Sequence, residues 1–161
     1  MKYSQTLCSG LLLAALAISG CSKPTENRNA ETATEAAATP AAEHSHGAGP
    51  NGGVVFDLGN HHAEFTVDHG KQQCTILFLG DDGKSPNSLA VTELTLAISE
   101  TATKDGTVVN AMTVVMSPED AVDGKASKFV GTDPGIGNVA DFAGNVSGEI
   151  DGKPAQGSFK E

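Results

Sequence analysis

The chain has 161 residues, with 20 Asp plus Glu against 10 Lys plus Arg and a formal charge of -10 at pH 7. A length near that of one ordinary domain argues against a multidomain machine, and the acidic balance repels phosphate backbones, so nucleic acid is excluded as a partner. With no Trp, 4 % aromatic residues and 19 Gly, the composition points to short strands and tight turns. P-loop, dinucleotide, nucleophile-elbow and HExxH spacings are all missing from the sequence, so no enzyme is expected.

Lys2 supplies a positive start, and Leu7 to Ile18 form an apolar run of about a dozen residues, the length of a signal-peptide core rather than of a membrane span. The run ends Ile18-Ser19-Gly20-Cys21, which resembles the bacterial lipobox: an aliphatic residue and two small ones before a lipidated cysteine. The resemblance implies that residues 1–20 are removed as a lipoprotein signal peptide, that Cys21 is acylated, and that the lipid bilayer is the first partner. Several acyl chains at about 0.8 kcal/mol per buried CH2 anchor stably where one would not. Ser22 rather than Asp after the cysteine implies, by similarity to sorting in double-membrane bacteria, the outer membrane with the domain facing the periplasm.

From Ser22 to Gly53 there is no Val, Ile, Leu, Met or aromatic residue, so nothing there offsets the entropy of ordering by burial. Residues 21–53 are therefore expected to form a lipidated, disordered linker that holds the domain about 30 Å from the bilayer. From Val54 the hydrophobic pattern takes period two. Strands are predicted at Val54–Leu58, His62–Asp68 and Cys74–Leu79, the last apolar on both faces and so central in its sheet. Val91–Ser99 and Thr107–Met116 follow, joined by an Asp105-Gly106 hairpin signal. Lys125–Val130 is a weaker strand, Asp133-Pro134-Gly135 opens an irregular stretch with a short helical turn, and Val146–Ile150 with Lys153–Phe159 makes a closing hairpin. Seven or eight short strands at this spacing predict an all-β domain over residues 54–161, a small antiparallel β-sandwich of immunoglobulin-like size.

All five histidines lie between residues 44 and 69, the most informative chemical feature of the chain. Imidazole is a common ligand of Zn and Cu, and Glu64 shares a strand face with His62, so His44, His46, His61, His62, Glu64 and His69 form the candidate metal set. His44 and His46 ride on the linker, so any binding is expected to be weak. The competing expectation is that these are solvent-facing polar residues without a ligand. Cys74 heads an apolar strand, and Met112 and Met116 flank Val114, so all three sulfur residues are assigned to the core. Acid pairs such as Asp81-Asp82 sit beside Gly or Pro, where short acids cap turns.

The segment His46-Gly47-Ala48-Gly49-Pro50-Asn51-Gly52-Gly53-Val54-Val55, followed by His62-Ala63-Glu64-Phe65, resembles the HGPxGG...HAEL pattern of short uncharacterised bacterial lipoproteins. A similar stretch occurs near metal-efflux membrane-fusion subunits. Lys125-Ala126-Ser127-Lys128-Phe129 and Ile150-Asp151-Gly152-Lys153-Pro154 extend the likeness to most of residues 46–160. Those lipoproteins often carry His where this chain has Asn51. The resemblance implies an envelope module near metal traffic. The resulting expectation is a non-catalytic, membrane-anchored β-sandwich lipoprotein that binds Cu or Zn weakly, or else a structural lipoprotein that docks an envelope protein and has no metal function.

Overall fold

In the computed structural model the described residues are 47–161. The expected signal peptide and residues 21–46 of the expected linker, with Cys21, His44 and His46, lie outside them. Ten strands and one 3-10 turn make the fold all-β. They are β1 (Val54–Leu58), β2 (His61–Asp68), β3 (Gln73–Leu79), β4 (Leu94–Ile98), β5 (Thr101–Ala102), β6 (Val108–Val109), β7 (Met112–Glu119), β8 (Lys128–Thr132), β9 (Ala143–Ile150) and β10 (Lys153–Lys160). The 3-10 turn, Pro134–Gly137, lies where a short helical turn is expected, with the Asp133 carboxylate accepting from the Gly135 N–H at its start.

Eight strands run antiparallel in the order β1-β2-β3-β8-β7-β4-β9-β10, with β5 and β6 as a separate ribbon. Strand β7 joins the two halves of this sheet. Its first part, Met112–Met116, pairs with β4, and its last three residues, Ser117–Glu119, pair with β8. A strand that switches partners in this way turns a corner and lets the halves face each other across one core. The edges β1 and β10 then meet, with the Gly59 N–H donating to the Gln156 carbonyl at 3.2 Å. The sandwich is thereby closed along this side in the manner of a flattened barrel, which removes two exposed edges.

Gly157 is what permits that closure. A Cβ at this position would stand 2.1 Å from the Asp57 carbonyl oxygen and 3.1 Å from the Leu58 Cα, so only glycine lets the two backbones come this near. Behind the seam, Phe159 of β10 stacks on Phe65 of β2 with ring centroids 4.0 Å apart and leans on Phe56 of β1 at 5.7 Å. Phe78 and Phe129 meet edge to face on the other flank.

The inward alternation expected along β2 and β4 holds: Ala63, Phe65, Leu94, Leu96 and Ile98 are buried. Strand β8 runs Lys128–Thr132 where Lys125–Val130 is expected, and two further stretches differ more. The run Thr107–Met116, read as one strand, breaks at Asn110-Ala111 into β6 and β7, and β7 continues to Glu119. Gly47–Gly53, read as the end of the linker, is instead a folded loop that doubles back antiparallel beside the start of β1. Ala48 bridges to Val54, Gly49 N–H donates to Gly53 C=O at 2.8 Å, and Gly52 N–H donates to Gly49 C=O at 3.0 Å. Its apolar content is too low to hold it there, so a polar contact must.

Candidate functional site

That contact is Glu64. Period two sends Glu64 outward with His62, opposite the buried Ala63 and Phe65, yet Glu64 is 0 % exposed because the 47–53 loop lies over it. Its Oε1 accepts from the backbone N–H groups of Asn51 (2.8 Å) and Gly53 (2.9 Å), and its Oε2 accepts from Asn51 Nδ2 at 2.7 Å. These partners are amide donors, and charge-assisted bonds of this kind are the strong ones. The loop needs its glycines to come this near. A Cβ on Gly49 would lie 2.4 Å from the Glu64 carboxyl, and one on Gly53 would lie 2.0 Å from the Phe65 carbonyl oxygen. The structure therefore turns the Gly-rich run and Glu64 into a latch, and it gives the carboxylate an occupation other than holding a metal.

The other predicted ligands of the domain are placed apart. His61 and His62 are consecutive in β2 and point to opposite faces. His61 sits edge-on to Phe78, with ring centroids 6.3 Å apart. His62 faces outward, its Nδ1 2.9 Å from Asp57 Oδ1 on the neighbouring strand, where the two residues stand directly opposite each other. His69 lies beyond the far end of β2; its Nδ1–H donates to the Ile136 carbonyl at 2.8 Å, and its ring tilts against Phe142. At about 3.3 Å per residue, His61 and His69 stand roughly 25 Å apart along the strand, so they do not share an ion. Among the described residues, no group of three or more His, Cys, Asp or Glu is arranged to hold a metal.

His62 does line a surface depression of about 490 Å³, together with Ala48, Pro50, Val55, Asp82 and Lys84. Asp82 is engaged in its own turn. Ser85 Oγ, Ser85 N–H and Lys84 N–H all donate to its carboxylate and hold it down at about 2. Thr103 Oγ1 donates in the same way to Asp105, whose carboxyl is also held below its ordinary value. These acids cap turns, as their positions beside Gly suggest.

Cys74 is fully buried, its Sγ 3.5 Å from Met116 Sδ and 3.7 Å from the Gly131 carbonyl oxygen. Burial pushes its thiol up to about 12, so it stays protonated and behaves as a core residue, with little thiolate to bind a metal or react. Comparison with protein-family models, curated proteins and solved structures finds no match to this chain.

Proposed function

We propose that the protein is a lipid-anchored module of the bacterial envelope whose β domain is non-catalytic and binds Cu or Zn weakly at the outward face of β2. The anchor follows from the order of a positive start, an apolar core and the Ile18-Ser19-Gly20-Cys21 sequence. The metal reading rests on one observation: Ala48, two residues after His46 in the chain, lines the same depression as His62. His46 precedes Ala48 by two residues in the sequence, and Asp57 stands beside the Nδ1 of His62. A carboxylate in that position orients an imidazole for coordination. The carboxylates of the turns and of Glu64 are taken up by backbone and side-chain donors, which favours a binding module over acid–base chemistry.

Calorimetric titration of the mature protein in detergent with Cu2+ and Zn2+ tests the metal reading. One-to-one binding in the micromolar range, lost in both His62→Ala and His46→Ala, is expected. Binding unchanged in those variants, or no saturable binding, would contradict it. A second reading, a structural lipoprotein that docks an envelope protein, is favoured by the separation of His61, His62 and His69 to different faces and ends of β2.

A further inference from the structure

The loop that Glu64 holds has the step Asn51-Gly52 at its exposed tip. Before a glycine, the side-chain amide of asparagine is open to attack by the next backbone nitrogen, because no side chain blocks the approach. In the closed loop that attack is prevented. The Gly52 N–H is directed at the Gly49 carbonyl oxygen at 3.0 Å, and Asn51 is pinned at both its backbone N–H and its Nδ2 by the Glu64 carboxylate. Opening the loop releases all three restraints together.

We propose that Asn51 is a spontaneous deamidation site gated by Glu64, and that its conversion opens the loop irreversibly. The Gly52 nitrogen gives up its proton and attacks Asn51 Cγ, forming a new C–N bond. The bond from Cγ to Nδ2 breaks, and the nitrogen leaves as ammonia. Water then opens the cyclic imide at either carbonyl, leaving aspartate or isoaspartate. Water is the one reagent consumed, and nothing is oxidised or reduced.

The consequence follows from the geometry of the latch. Deamidation replaces the Nδ2 donor, 2.7 Å from Glu64 Oε2, with an anionic oxygen. Two carboxylates at that spacing, in a position where Glu64 is 0 % exposed, repel each other strongly. The isoaspartate product also lengthens the backbone by one bond, which misplaces Gly53 N–H relative to Oε1. Either product keeps the loop from reseating and bares Glu64 on the same strand face as His62. The segment that joins the domain to its tether thus carries a one-way release.

The test follows the Asn51-containing peptide of the full-length protein by mass spectrometry during incubation in mildly alkaline buffer, reading the NH2-to-OH exchange. Glu64→Ala is expected to deamidate about tenfold or more faster than the wild type, since loss of the charged hydrogen bonds raises the open population of the loop. Gly53→Ala opens the loop by a different route, through the clash with the Phe65 carbonyl while Glu64 remains, and the same acceleration is expected. Asn51→Asp is expected to leave the loop amides exchanging with solvent as rapidly as in Glu64→Ala, with an unchanged far-UV dichroism spectrum. Equal deamidation rates in the wild type and both opened variants, or no deamidation in any of them, would overturn the gating. A Gly53 amide as protected in Asn51→Asp as in the wild type would overturn the one-way release.

Discussion

Glu64→Ala is expected to free the Gly47–Gly53 loop while leaving the rest of the domain folded. Three donors, Asn51 N–H, Gly53 N–H and Asn51 Nδ2, lose their acceptor at once. Hydrogen bonds to a charged group are each worth about 1.5–3 kcal/mol, but the loop can swing out and rehydrate its donors, which limits the global loss to about 2 kcal/mol. The core is untouched, because Ala63 and Phe65 face the other way. Hydrogen exchange separates the two effects: the Asn51 and Gly53 amides are expected to lose their protection, while those of β3 and β4 keep theirs. Unchanged exchange at Gly53 would show that something other than Glu64 holds the loop.

Gly157→Ala is expected to be more damaging than its single added methyl suggests. The new Cβ meets the Asp57 carbonyl oxygen at 2.1 Å and the Asp57 carbonyl carbon at 3.0 Å, both backbone atoms, so no side-chain rotation relieves the clash. The seam between β1 and β10 must open, and with it Phe159 moves off Phe65 and Phe56. Overpacking typically costs about 1–3 kcal/mol, and a backbone clash at a closure with an aromatic cluster behind it is expected to cost about 3 kcal/mol or more. Urea unfolding measures this, with Gly70→Ala as the control. A Cβ on Gly70 makes one ordinary contact, 3.4 Å to Asp68 Oδ1, and that variant is expected to stay near wild-type stability. Equal midpoints for the two variants would contradict a closed seam.

Much of the fold was legible because alternation is a local signal. The inward faces of β2 and β4 and the Asp-capped turns follow from residues that are neighbours in the chain. The closure was not legible, since it depends on Gly157 meeting Asp57 across almost the whole length of the domain. Nor was the latch. An outward glutamate on a strand reads as a solvated side chain or a ligand, and its cover comes from 11 and 13 residues upstream, in a run too polar to suggest packing. The signal was nonetheless present. A Gly-rich loop with an asparagine, followed by a strand with an outward glutamate, is a set of donors and an acceptor that needs a partner, and Asn51, Gly49, Gly53 and Glu64 make that set. The run Thr107–Met116 reads as one strand because periodicity continues through Asn110-Ala111, although the backbone leaves the ladder there to form the short β5–β6 ribbon.

The histidine cluster illustrates the same limit in one dimension. Five histidines within 26 residues look concentrated in the sequence, but a strand spreads its residues along about 3.3 Å each and alternates their faces. His61 is thereby placed against Phe78, His62 against Asp57 and His69 against the Ile136 carbonyl.

Metabolic labelling with palmitate tests the proposed lipid-anchored envelope module most directly. The wild-type chain is expected to take up label and to sediment with membranes, whereas Cys21→Ser takes up none and leaves the membrane fraction. Equal labelling of the two proteins, or an unlabelled wild type found in the cytosol, would contradict the anchor and with it the placement of this domain outside the cell interior.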